Sequence, residues 1–285
     1  MEYVNTIVQG TLLGGLYALY AAGLSLIFGV MRLINLAHGD LIVLAAFALL
    51  AMVTALGLPL PVALLIMLPF AFALGWGLQR FLLNRTLGDD ILLPLLVTFG
   101  LQILIQNGLL VAFSADSRKL SLGPIETQSV NLLGLPVGLV PLITFAVAVL
   151  VLGVLSYIFY NTGLGRRLRA TSDSTEVVQL MGVNPRVIFA IAMGISFVVL
   201  TIAAFFMGVR SNFDPSVGPA RLLYAFEAVV IGGLGSLWGT LAGGIILGVA
   251  QAIGARINPE WQILAGHLVF LVFIVFRPRG LFPKQ

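Results

Sequence analysis

Apolar runs close to twenty residues long follow one another along this chain with little between them. The first extends from about Tyr3 to Val30, and the others fall at roughly 41–56, 60–83, 91–113, 137–160, 187–209, 222–234, 236–255 and 261–276, each bounded by polar, Gly or Pro residues. A helix of about 20 apolar residues crosses the hydrocarbon core of a bilayer. Inside that core each backbone N–H and C=O must find its partner within the protein. Such a chain is confined to a bundle of helices. Composition agrees: 60% of the residues are hydrophobic and 9% are charged, against about 25% charged in soluble proteins. A water-facing surface cannot be built from so few charges, so the expected fold is an all-α, polytopic transmembrane helical bundle.

The opening run lacks a basic segment before it and is longer than the core of a signal peptide, so it reads as an uncleaved first span. With no cysteine there is no disulfide framework. The net charge of +4 and pI near 9.8 invite a nucleic-acid reading, but the arginines lie in short connections between apolar runs. The positive-inside rule accounts for that placement, and no nucleic-acid partner is expected.

Eight or nine spans are expected within a single transmembrane domain, 1–285. The 222–234 run is too short to cross alone and ends in Gly232-Gly233-Leu234-Gly235, a pattern of discontinuous helices lining a cavity. The largest loop, 161–186, carries Arg166, Arg167, Arg169 and Arg186 and is placed in the cytoplasm, with the tail holding Arg277, Arg279 and Lys284. Counting back from the loop puts the N-terminus outside and Arg32 inside; counting forward favours two helices across 222–255.

Small residues recur at every fourth position: Gly10, Gly14 and Ala18; Gly235, Gly239 and Gly243; Gly244, Gly248 and Ala252. Each set lies on one helix face and lets backbones approach closely. Packing within the subunit, a subunit interface and a moving gate are all open to them.

No catalytic constellation is present. The two histidines, His38 and His267, are far apart, and there is no cysteine nucleophile, HExxH or G-x-S-x-G. Without a G-x-x-x-x-G-K-[ST] loop the chain cannot cradle ATP phosphates itself. Transport is the better reading than catalysis, and no cofactor is expected.

Local rules predict a short helix of about two turns in the 161–186 loop. Asp173 is placed to cap it, Glu176 to close a capping box, Gly182 to end it, and Pro185 to bar continuation. Val177, Leu180 and Met181 share one face. That apolar face suits the membrane surface, a fold over its own subunit, or the groove of a soluble partner.

The stretch Gly165-Arg166…Arg169-Ala170-Thr171…Met181-Gly182-Val183-Asn184 resembles the cytoplasmic coupling loop of branched-chain amino acid ABC-importer permeases. So do Asn35-Leu36-Ala37-His38-Gly39-Asp40 and Gly232-Gly233-Leu234-Gly235-Ser236…Gly239…Gly243-Gly244, in the family's order. The resemblance implies a second permease subunit, usually a paralogue, two cytosolic ATPase subunits that bind the ATP, an external solute-binding protein and a bacterial or archaeal plasma membrane. Gly165, Arg166, Arg169, Asp173, Glu176, Val177, Leu180, Met181 and Gly182 would then form the coupling element.

Polar residues within the spans are candidates for the path of a small-molecule substrate. Thr98, Gln102 and Gln106 make one stripe down a helix, serving either helix–helix hydrogen bonding or the pore. Asn35, His38 and Asp40 stand where the first apolar stretch breaks, to cap the next helix or to line the path. Glu227 is the least expected residue, since a carboxylate in a span is by default a functional hypothesis. Pairing with Arg221 or Arg210 is favoured over contact with a substrate ammonium group. The rival readings are the same machine carrying urea, short amides or aromatic acids, and a self-sufficient secondary transporter or channel. The latter calls for an ion-coupling cluster richer than Glu227, His38 and Asp40.

Overall fold

The computed structural model describes residues 2–87, 92–132 and 135–282; Lys284 lies outside them. Helices follow the apolar runs, since in hydrocarbon the helix alone satisfies a lone segment's backbone. In chain order they are α1 (Glu2–Met31), α2 (His38–Leu56), α3 (Leu60–Gly77, prolonged by irregular turns to Arg85), α4 (Leu92–Phe113) and α5 (Leu139–Asn161). Two helices of the largest loop follow, α6 (Gly163–Asp173) and α7 (Thr175–Leu180), then α8 (Pro185–Arg210), α9 (Gly218–Gly232), α10 (Leu237–Ile257) and α11 (Trp261–Phe276). A small antiparallel hairpin pairs Ser129–Leu132 with Leu135–Gly138.

Among the described residues, seven helices are long and apolar enough to cross a membrane, and α11, of 16 residues, is a shorter apolar helix. The 222–255 stretch is two helices. α9 has 15 residues, a rise of about 22 Å, short of the ~30 Å core. Gly233 and Gly235 (φ 108° and 80°) make the reversal after it, and the Ser236 hydroxyl accepts from Gly239 N–H to cap α10.

α1 lies at the centre. In its most apolar 18-residue window 89% is buried, against 72% for α8 and 11% for α4, whose flanks are left to lipid. What brings neighbours against α1 is the absence of side chains. A Cβ added to Gly14 would stand 2.5 Å from Ile245 Cα, and one added to Gly248 would stand 2.3 Å from Gly10 O. The first and third ladders therefore face each other across α1 and α10. On another side of α10, Gly239 and Gly243 meet Gly232 and Ala228 of α9. All three sets pack within the subunit.

The bundle has two ends. At one, the Ser172 hydroxyl of α6 donates to Gly29 O of α1, Gly29 lies against Gly235, and the final segment donates from Leu281 and Phe282 N–H to Ile231 and Gly232 O. At the other, Arg118 bridges to Phe213, and Arg256 pairs with Glu2. There Lys119, 2.8 Å from Glu126, holds that carboxyl below the usual range.

Gly14→Leu should cost roughly 3 kcal/mol or more by overpacking, and in detergent should lose most of the monodisperse peak on gel filtration. Gly100→Leu should keep it, because nothing lies within 4 Å of a Cβ there.

Candidate functional site

Two polar centres lie inside the bundle and a third element projects from one end. The first begins at the break after α1, where Arg32 adopts φ 53° and the chain turns before entering α2. The Asn35 side chain accepts from Ala37 N–H (3.1 Å), and its main-chain oxygen accepts from His38 N–H. No side chain caps α2; Asn35 instead shapes the turn that precedes it and meets the His38 donor through its backbone. Asp40 is turned elsewhere: its Oδ1 accepts from Gln106 Nε2 at 2.9 Å. The Thr98 hydroxyl accepts from Leu36 N–H, and Gln102 is half-buried between Thr98 and Gln106. The polar stripe of α4 therefore faces the Asn35–Asp40 break, uniting two sets that are distant in sequence. His38, fully buried, donates from Nε2 to Tyr20 O at 2.8 Å. Gln106 is fourteen residues into α4, a rise of about 21 Å, so Asp40 is deep in the bundle. Gly218 makes room for it, since a Cβ there would overlap the carboxylate. Beside Leu36 an apolar cavity of about 440 Å³ is lined by Leu92, Leu93, Leu95, Leu96 and Phe99.

The second centre corrects an expectation. Glu227 pairs with neither Arg221 nor Arg210. Its buried Oε1 accepts from His267 Nδ1–H of α11 at 2.5 Å. His267 stacks on Tyr224, Tyr224 packs on Tyr17 with centroids 5.0 Å apart, and the Tyr17 hydroxyl donates to Gln251 Oε1. α11, α9, α1 and α10 are joined in that order. The physical reason is helical phase: six residues turn a helix by about 600°, so Arg221 and Glu227 point away from each other. Arg210 is occupied by Leu12 O at 3.2 Å. The signal that could have found His267 was its isolation, because a lone ionisable group in an apolar run needs a partner in another span.

The third element is α6–α7. The Thr162 hydroxyl caps α6 by accepting from Gly165 N–H, and Gly165 lies directly on the Phe159 carbonyl. Arg169 donates to that same oxygen and covers the rings of Phe159 and Tyr160, while Arg166 is exposed. Asp173 does not cap the next helix. It ends α6, and Ser174 caps α7 by accepting from Val177 N–H (3.3 Å). The backbone stays helical through Asp173, so the first extended residue, Ser174 (φ −153°), takes the cap. Glu176 is consequently one position short of a capping box, and is exposed. Gly182 closes α7 with φ 76°, as expected, while Pro185 opens α8 behind an Asn184 cap. Val177, Leu180 and Met181 are 55%, 88% and 75% exposed, and a cavity of about 430 Å³ lies alongside, lined by Gln179, Gly182, Val183, Asn184, Pro185 and Arg186.

A helical bundle with inward-turned polar and ionisable side chains and a short apolar helix held out at one end has the parts of a transport permease. The chain belongs to the branched-chain amino acid transport system permease component family, matching it over residues 6–276. It is 28% identical over 296 residues to the high-affinity branched-chain amino acid transport system permease protein BraD of Pseudomonas aeruginosa, which covers 98% of this chain and 95% of the relative. To the LivH permease protein of Escherichia coli, of the same description, it is 25% identical over 301 residues, 99% of this chain and 96% of that one. A probable LivH from Methanocaldococcus jannaschii is 24% identical over 261 residues, covering 87% and 80%. No solved structure matches the chain significantly. It is a multi-pass permease subunit of an ABC importer, and its role is transport rather than catalysis.

Leaving a buried polar group without its hydrogen-bond partner costs about 1–3 kcal/mol. His267→Leu should therefore lower the melting temperature in detergent more than the double variant Glu227→Leu/His267→Leu does. Equal shifts would mean that the pair is not coupled.

Proposed function

We propose that this permease passes leucine, isoleucine, valine or closely related small amino acids across a bacterial or archaeal plasma membrane. It does so beside a second, paralogous permease, above two cytosolic ATPases and beneath an external solute-binding protein. The observation that carries the reading is the outward apolar face of α7. Three apolar side chains stand in solvent on a short helix whose own contacts are made by Val178, and the groove beside it is open. A soluble ATPase offers the surface that would cover them.

The bracing of α6 explains how a pull on α7 reaches the path. α6 is tied to α5 through Arg169 and Gly165 and to the end of α1 through Ser172 and Gly29. α1 in turn is locked by backbone contact to α10, and α10 to α9. Closing of the ATPases around ATP displaces these elements as one body. The Asn35, His38, Asp40, Thr98, Gln102 and Gln106 centre and Glu227 border the path that opens and closes. In this orientation the α6–α7 end and the tail face the cytoplasm, and the N-terminus faces outward.

Affinity purification from native membranes should recover two ATPases, a second permease and an amino acid held by a binding protein. Leu180→Asp should detach the ATPases and reduce ATP-driven uptake at least about tenfold, as loss of an interface anchor does. Glu227→Gln should lower uptake while the complex stays assembled. A chain that emerges alone and moves solute in liposomes without ATP would sink the reading.

A further inference from the structure

The groove beside α7 has a wall that is tied into the bundle. Arg186, which lines it, is the second residue of α8, and its backbone is held from two sides. Its N–H donates to the Asn184 side chain at 3.0 Å, within the four residues that join α7 to α8. Its carbonyl accepts from Asn84 Nδ2 at 3.1 Å, from 102 residues earlier in the chain. Asn84 Oδ1 in turn accepts from Gln79 Nε2 at 3.0 Å. The α7–α8 loop, α8 and the end of α3 therefore meet at one residue.

The end of α3 departs from regular helix where it makes this contact. Leu78–Leu82 is a wider, π-helical turn, from which Leu83 N–H reaches back to Leu78 O and Gln79 O, and a tighter turn follows at Leu83–Arg85. A π-turn inside a helix is rare and is frequently found at functional positions. Gln79 is fully buried and Asn84 is buried, and an amide taken out of water costs free energy unless it is bonded. The Gln79 Oε1 has no hydrogen-bond partner, so the bond to Asn84 alone offsets its burial. Arg80, Arg85 and Arg186 are exposed, and the tie is made by neutral groups only. Farther along, α3 and α8 stay in direct contact. A Cβ added to Gly75 would stand 2.7 Å from Met193 O, and one added to Gly194 would stand 3.0 Å from Phe72 O.

We infer that Gln79 and Asn84 are positioning residues for energy coupling, which make the end of α3 follow the α7–α8 junction when an ATPase seated on α7 moves. They form a second connection into the bundle, separate from the one through α6 and α1. It leads to α3 and, next in the chain, to α4 with its polar stripe. This inference rests on the importer reading and adds to it the residues that turn movement of a docked subunit into movement of α3.

The test uses the whole transporter, purified with its partner subunits and reconstituted into proteoliposomes with leucine and the binding protein. Three quantities are read: ATP hydrolysed, leucine taken up, and the distance between spin labels on α3 and α10. The chain has no cysteine, so Phe81→Cys and Trp238→Cys, both at exposed positions, carry the labels once any partner cysteines are replaced. In wild type, ATP should change that distance. Asn84→Leu and Gln79→Met, which nearly keep size and remove the amide, should leave the subunits assembled and still hydrolysing ATP. In both, the distance change should be lost and uptake per ATP should fall about fivefold or more. Asn107→Leu, which removes an amide bonded within α4 to Ile103 O, should match wild type. A wild-type distance that ignores ATP would overturn the inference, as would wild-type uptake per ATP in the amide variants. Loss of the ATPases from the Asn84→Leu complex would also overturn it, because the pair would then hold the groove in shape rather than transmit movement. If Asn84→Leu does not fold, Gln79→Met decides, since it leaves Asn84 on Arg186. If wild type takes up no amino acid with ATP, the importer reading fails and this inference with it. If wild type transports and the variants match it, only the inference fails.

Discussion

Close approach of α1 and α10 is the contact on which the rest of this molecule depends. In a bilayer, apolar side chains gain nothing by leaving lipid for one another, so helices associate through packing and hydrogen bonds. Here the packing is backbone on backbone, with Gly10 and Gly14 meeting Gly248 and Gly244. The pair forms a stiff spine, and the broken segment is built onto it: α9 lies on another small-residue face of α10 and on α1 through Tyr17 and Tyr224. Any side chain larger than hydrogen at those glycines would push the spine apart and move the polar centres with it.

Where α9 ends the chain reverses, and α10 packs back along it. The interruption at Gly233–Gly235 frees carbonyl groups at the end of α9, and the chain's last described residues meet two of them, at Ile231 and Gly232. Two of the carbonyls at the break are thereby satisfied within the chain. The elements tied to it, α1, α10 and the α6 brace, converge on the end from which α7 projects. α6, beside α7, is bonded to the end of α1, and α1 is packed backbone to backbone on α10.

The buried ionisable groups show how much a bundle can conceal from its own sequence. The α4 stripe was legible as a stripe, because a period of four on a helix is local geometry, but its partner was not. That the stripe faces Asp40 follows from α2 and α4 lying side by side, which no local pattern encodes. Glu227 was legible as anomalous and its partner was misassigned, since nearness along the chain gave way to helical phase and His267 came from forty residues away. In the 161–186 loop a single residue separated expectation from structure. Asp173 and Ser174 are both competent caps, and the choice between them depended on where α6 ended.

By itself the sequence determined the membrane as solvent, the apolar helices, the split across 222–255, the glycine that ends α7 and the family. Each of these is a local or summed property: length of apolar run, count of charges, spacing of small residues, φ at glycine. Tertiary structure alone decided which faces meet, and that Glu227 is met by His267 of another helix rather than by an arginine near it in sequence. Those outcomes depend on the rotation and depth of whole helices, and in lipid these are selected by fitting backbones together across spans far apart in the chain.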